Sequence, residues 1–272
     1  MQGPERSPTH QPKYNGGVVF SQLLYRIYER RLTKELAGRT LPQHVGVMID
    51  GNRRWARDMG YKDPADGHRA GAKHVNRMLA WCDEVGIRHV TIYLLSTENL
   101  SRPKDEVEPL LDIIAELADE LAEPQRPWKL QVVGALDLLN TEHAKTLKQA
   151  ENRTAHKSGV RVNLAVCYGG KQEIADAVRS YLEGEDAKGR SLRDVAADIN
   201  VEAIASHLYT NGQPDPDLII RTSGEQRISG FLLWQSAYSE FFFSDTYWPG
   251  FRRVDFLRAL RSFATRNRRY GK

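Results

Sequence analysis

Cysteine is nearly absent: Cys82 and Cys167 are the only two in 272 residues, they lie far apart, and each falls in an apolar periodic segment. That distribution excludes a disulfide framework and a thiolate zinc site, and it fits two reduced core thiols in a cytoplasmic protein. Long apolar runs are missing too. No stretch approaches the roughly 18 residues that cross a bilayer. Residues 1–17 carry a glutamate and prolines where a secretory leader carries an apolar block, so the chain reads as cytoplasmic. Charge of one sign is also scarce. A total of 39 Lys and Arg against 35 Asp and Glu leaves a formal net charge of +4, which suits acidic ligands and gives no reason to expect nucleic acid. The arginines between positions 252 and 269 read as a solvated helix face or a lid on a phosphate site. No internal repeat is visible.

What is present is an alternation. With 40% hydrophobic residues the chain has enough apolar surface for one sizeable core. From residue 44 onward, short β-rich runs alternate with amphipathic helical patterns, the signature of βαβ units around a mostly parallel sheet. Strands are predicted at 45–49, 87–95, 130–133, 160–166, 218–220 and 241–243. The clearest helix spans 104–122, where Val107, Leu110, Leu111, Ile114, Leu117 and Leu121 recur at three- and four-residue steps between Pro103 and Pro124. Further helices are predicted over 68–85, 141–158, 171–182 and 254–268, and the polar stretch 183–200 reads as a loop excursion. Val19, Leu23, Ile27 and Leu36 stand at roughly helical spacing among many charges, an amphipathic helix suited to docking on this domain or to peripheral contact with a membrane. The organisation expected is a disordered tail over 1–17 and a single α/β domain over 18–272, with a central, mostly parallel six-stranded sheet flanked by helices.

In open α/β sheets ligands gather at the carboxyl ends of strands, so the residues after each apolar run carry the functional signal. After the first come Asp50, Gly51, Asn52, Arg53, Arg54 and Trp55: a carboxylate, a flexible turn and two guanidinium groups at the start of a helical segment, a sensible diphosphate cradle. Magnesium commonly takes one or two carboxylates plus substrate phosphates, which makes Asp50 the first choice of metal ligand. The same residues also fit a helix cap with surface ion pairs. The second strand end holds Ser96, Thr97, Glu98, Asn99 and Arg102, which fit either a polar cleft or caps of the long helix. The third holds Arg221, Arg227, Ile228 and Ser229 around a glycine turn. An arginine ending a buried strand needs an anion or a carboxylate beside it, so this loop reads as a second anion site. The Tyr168-Gly169-Gly170 turn is a weak signal. Glu240 sits amid bulky apolar neighbours and needs a partner, whether a metal, an arginine across a subunit interface or a surface exit. Two anion sites and one metal in an apolar surround suit two phosphorylated, apolar substrates, such as isoprenoid diphosphates.

Residues 44–55, 96–103, 217–229 and 231–243 together resemble the cis-prenyltransferase family, which includes undecaprenyl diphosphate synthases. The likeness runs to the closing Arg268-Arg269-Tyr270-Gly271, and the Asp-Asp-rich motif of trans-type synthases is missing. The resemblance implies an enzyme with a hydrophobic product tunnel, Mg²⁺ as cofactor, an allylic diphosphate and isopentenyl diphosphate as substrates, and a homodimeric state. It further implies that Asp50 binds the metal and helps ionise the allylic diphosphate, that Glu240 is a second metal-linked carboxylate, and that Asn99 assists proton removal. Gly51, Asn52, Arg53, Arg54, Trp55 and His68 match positions around the allylic substrate, with Ser96, Thr97, Glu98 and Arg102 lining the same cleft. Arg221, Arg227, Ile228 and Ser229 match the isopentenyl diphosphate site.

Departures from the long-chain members stand at Arg53, Asp63 and Leu100. Leu94 occupies a tunnel-wall position where long-chain enzymes tend to carry Ala, and it resembles actinobacterial short-chain synthases that make (2Z,6E)-farnesyl diphosphate. An ordinary core leucine is the other reading. The expected reaction is one condensation of geranyl diphosphate with isopentenyl diphosphate. Longer decaprenyl or undecaprenyl products and head-to-middle coupling of dimethylallyl diphosphate remain as alternatives.

Overall fold

The computed structural model describes residues 15–266. Along the chain the order is α1 (Asn15–Leu36), β1 (His44–Met48), α2 (Asn52–Asp58), α3 (Pro64–Glu84), β2 (His89–Tyr93), α4 (Lys104–Leu121), β3 (Lys129–Val133), α5 (Thr141–Thr154), β4 (Arg161–Ala165), α6 (Gly170–Asp186), α7 (Leu192–Asp198), α8 (Val201–Ala205), β5 (Leu218–Arg221), β6 (Glu240–Phe243) and α9 (Arg253–Thr265). The six strands form one sheet in the order β3-β4-β2-β1-β5-β6, and every pairing is parallel. All six predicted strands are present.

The sheet is parallel because both faces are covered. Val45 and Val47 of β1, with Leu218 and Ile220 of β5, enter the main core, while Met48 and Ile219 enter a second apolar cluster with Tyr168 and Phe231. Strands buried on both sides read as continuous apolar runs, which is why they were visible in the sequence. Cys82 and Cys167 are both buried free thiols, as expected.

Helix ends differ from expectation for local reasons. α3 begins at Pro64, earlier than residue 68, because Asp63 caps it by accepting from the Ala65 N–H at 2.8 Å and Pro64 supplies a preset φ at the first position. The stretch 183–200 is largely helical, against the loop reading. α6 continues to Asp186, Glu185 pairs with Lys188 and Arg190 at 2.6 Å each, and Ser191 caps α7, which buries Val195. The polar residues satisfy one another there, so polarity did not signal a loop. Asn15–Gly17, placed in the expected tail, open α1, and residues 1–14 of that tail lie outside the described residues. The closing run at 268–271 also lies outside them. α1 docks on α9: Leu32 is fully buried, Tyr25 lies under Arg252 at 4.2 Å and Tyr28 under Arg258 at 5.7 Å. Among the described residues no helix is long and apolar enough to cross a membrane.

Two buried histidines make the fold acid-sensitive. His44 is wedged between the Pro214 carbonyl at 2.7 Å and the Thr91 hydroxyl at 2.8 Å, and His74 meets Trp81 and Trp248 edge-on at 5.5 and 4.8 Å. Burial above all lowers each ring from 6.5 to about 4. The unfolded chain therefore binds protons on these rings between pH 6.5 and 4 while the folded chain does not. Stability falls as pH drops through that window, by on the order of 1–3 kcal/mol per ring. Thermal melts from pH 7.5 to 4.5 should show it, with a shallower slope in His74→Phe; equal slopes in the two proteins would contradict this account.

Candidate active site

The first functional loop follows β1. Gly51 turns the chain at φ 98°, and a Cβ there would stand 2.7 Å from Tyr247 Cδ1 and 3.0 Å from Ser223 Cβ, so only glycine lets the β1 and β5 loops approach this closely. Asp50 is fixed through its backbone: its N–H donates to Thr222 Oγ1 at 3.0 Å and its carbonyl accepts from the Trp248 N–H at 3.0 Å. Its side chain accepts from Arg221 at 2.9 Å and lies 3.6 Å from Arg54. Burial works to raise the Asp50 carboxyl, but the hydrogen bond and charge of Arg221 outweigh it and hold the group below the usual carboxylate range.

Arg221, at the end of β5, is only 5% exposed. Besides Asp50 it donates to Ser229 Oγ at 3.1 Å and to the Arg227 carbonyl. Arg54 donates to Ser223 Oγ at 2.7 Å, sits 5.4 Å over the Tyr247 ring and lies 3.5 Å from Glu225, which also pairs with Arg227. The β1 and β5 loops are thus tied in a closed circuit running Arg221, Asp50, Arg54, Glu225, Arg227 and back to Arg221. The arginine that ends β5 has the carboxylate partner its burial demands.

The β2 loop faces this circuit. Ser96 accepts from the Asn99 N–H at 3.2 Å, and Arg102 donates to Asn99 Oδ1 at 2.6 Å, which fixes the amide that the sequence reading assigned to proton removal. Burial, then the positive charges of Arg102 and Arg53, lower His68 from 6.5 to about 4, so it is a neutral ring at pH 7. Arg53 forks onto Glu106 at 2.9 and 3.4 Å.

These loops open into one cavity of 1320 Å³. Asp50, Gly51, Asn52, Arg53, Arg54, His68, Leu94, Ser96, Thr97, Glu98, Asn99, Arg102, Arg221, Arg227 and Ser229 all line it, and Leu110, Ile113, Ile114 and Leu117 of α4 give it an apolar arm beside Leu94. Three expected residues do not line it. Trp55 stacks instead on Tyr61 at 5.6 Å, and Ile228 serves the turn by accepting from the Phe231 N–H at 2.8 Å. Glu240 opens β6 opposite Leu218, which pairs with Val45, so it lies at the amino edge of the sheet, two strands from β1 and offset from Asp50 by roughly 16 Å along the strand direction at about 3.3 Å per residue. There it pairs with Arg266, and within one chain it does not reach Asp50. Asp63 caps α3 and takes no part in the cavity lining. Lys171, Gln172 and Glu225 line the cavity without having been assigned a role from sequence. The only hint of the first two was the paired-glycine turn just before them.

A magnesium ion fits this donor set in one way. Among the described residues no three His, Cys, Asp or Glu side chains cluster as ligands, and Asp50, paired with Arg221 and Arg54, is the carboxylate that directly follows β1. One carboxylate completed by substrate phosphate oxygens is a usual arrangement for this hard cation.

A prenyltransferase family model described as "Putative undecaprenyl diphosphate synthase" matches residues 48–271. The chain belongs to this family. As a prenyltransferase it transfers isoprenyl groups between diphosphates, and its relatives are near. It is 54% identical to a (2Z,6E)-farnesyl diphosphate synthase of Mycolicibacterium smegmatis, covering 91% of this chain and 95% of that protein. It is 56% identical to a protein of the same description from Thermobifida fusca, covering 91% and 97%. Among solved structures, lavandulyl diphosphate synthase from Lavandula x intermedia, in complex with dimethylallyl diphosphate, matches with a TM-score of 0.78 and 33% identity over 85% of this prenyltransferase and 99% of that chain.

Proposed function

We propose that the protein is a homodimeric short-chain cis-prenyltransferase that condenses geranyl diphosphate once with isopentenyl diphosphate, releasing diphosphate and a proton to give (2Z,6E)-farnesyl diphosphate. The observation that carries this reading is one cavity lined both by the Asp50 circuit and by the apolar side chains Leu94, Leu110, Ile113, Ile114 and Leu117. The description of two relatives as (2Z,6E)-farnesyl diphosphate synthases supports it.

In this reading Arg54, Arg102 and neutral His68 take the allylic diphosphate, and Arg221, Arg227 and Ser229 take that of isopentenyl diphosphate. As the allylic carbon–oxygen bond breaks, negative charge grows on the departing diphosphate, and preset guanidinium groups stabilise it without reorganising. Magnesium, when held by Asp50, supplies a Lewis acid for the same oxygens. The double bond of isopentenyl diphosphate then attacks the allylic cation. The condensed cation is a strong acid, so a diphosphate oxygen, reached directly or by a relay through Asn99, suffices to take its proton.

The test is product analysis by mass spectrometry, using protein of measured assembly mass, isopentenyl diphosphate, magnesium and geranyl, farnesyl or dimethylallyl primers. Geranyl diphosphate should be consumed fastest and a fifteen-carbon product should dominate. Products mainly of thirty carbons or more would sink the chain-length reading, and coupling of dimethylallyl diphosphate alone would favour the head-to-middle reaction.

A further inference from the structure

Glu225 stands between arginines belonging to two different loops. One carboxylate oxygen lies 3.5 Å from Arg54, of the β1 loop, and the other pairs with Arg227, of the β5 loop. It projects from a turn in which Ser223 and Gly224 both take left-handed backbone angles, φ 80° and 77°. Arg54 does not depend on it for its place: Ser223 Oγ at 2.7 Å, Asp50 at 3.6 Å and the Tyr247 ring at 5.4 Å hold that guanidinium from other sides. In the free protein both arginines are therefore already matched by an internal anion. A carboxylate and a phosphate oxygen are the same kind of partner for a guanidinium. A diphosphate entering either loop has to take an arginine from Glu225, and Glu225 is positioned to take it back.

We propose that Glu225 is an internal counter-anion that competes with bound diphosphate for Arg54 and Arg227 and thereby speeds departure of the diphosphate product. This rests on the reading that the two loops hold the diphosphates of the two substrates. Replacing Glu225→Gln removes the competing charge while Arg54 keeps its other supports, so diphosphates bind more tightly and leave more slowly. In turnover, kcat and both KM values fall together, the pattern of a strengthened ground state. A merely structural role for Glu225 has the opposite sign, because loosened arginines raise KM.

Calorimetric titration of inorganic diphosphate with magnesium into native protein, Glu225→Gln and Glu225→Asp, beside steady-state kinetics, tests this. The Gln variant should bind diphosphate about 5- to 10-fold more tightly, the effect of one charge on a side chain that is 29% exposed, and show a burst of product in the first turnover. The Asp variant, which keeps the charge, should stay within about twofold of native, so that folding and charge are separated. Equal or weaker binding by Gln overturns the role of Glu225 alone. If the native protein binds no diphosphate, the reading of the loops falls, and this inference with it.

Discussion

Asp50→Ala should lower kcat by at least about 10³-fold while leaving the sheet intact. The magnitude follows from losing the carboxylate that would hold magnesium against the negative charge developing on the departing diphosphate. The structure adds a second effect. Arg221 is 5% exposed and donates to Asp50 at 2.9 Å, so the Ala variant leaves a nearly buried guanidinium with only Ser229 and a backbone carbonyl. Removing one partner of a fully buried pair destabilises by about 3–5 kcal/mol. The Asp50 side chain is 36% exposed, and water reaches the gap, so about 1–2 kcal/mol is expected, a few degrees in Tm. Asp50→Asn separates the two roles. It keeps an acceptor for Arg221 and should melt near the native temperature, yet turnover should still collapse. Single-turnover rates with circular dichroism melts decide this; a kcat within about tenfold of native in either variant would remove Asp50 from the centre of the chemistry.

Leu94→Ala should lengthen the product. Leu94 follows β2 directly, is anchored by its N–H donating to the Ala165 carbonyl at 3.0 Å, and lines the same cavity as Leu110, Ile113, Ile114 and Leu117 of α4. A buried isoprene unit, with five carbons, is worth roughly 4 kcal/mol by methylene arithmetic, so a wall that denies this burial shifts the partition between release and further elongation by about 10³. Truncation to Ala frees the room of three carbons, more than half a unit. Mass spectrometry of extracted products should show the main species moving from fifteen carbons to twenty or more. An unchanged profile, with the variant folded and active, would make Leu94 an ordinary wall residue.

The strands and the polar loops were legible in the sequence because each depends on local pattern. Strands β1 and β5 are apolar on both faces, and the residues that follow them are too polar for a core edge. What was not legible involves long-range geometry or local compensation. Glu240 reads as a carboxylate in need of a partner, but a parallel β6 puts its first residue at the edge of the sheet opposite Asp50, and strand direction leaves no trace in its side chains. Glu225 was visible in its loop, yet its bridging role exists only because β1 and β5 are neighbours. Asp63 drew attention as a departure from family pattern, when its role is to cap α3. Positions 183–200 misled for the reverse reason, since Glu185, Lys188 and Arg190 neutralise one another on a helix end.

The pairing of β1 with β5 has a consequence for how the molecule comes into being. Asp50 and Arg221 are separated by 171 positions, and between them the chain builds the other half of the sheet, β2, β4 and β3. Contacts of such sequence separation form late, because a long loop must close before they reward it. A ribosome-bound chain carrying the first two hundred residues thus has a cradle with Arg54 and Asp50 but no β5 beside it. The anion-binding circuit closes only once β5 has been made, which places it among the last features of the molecule to form.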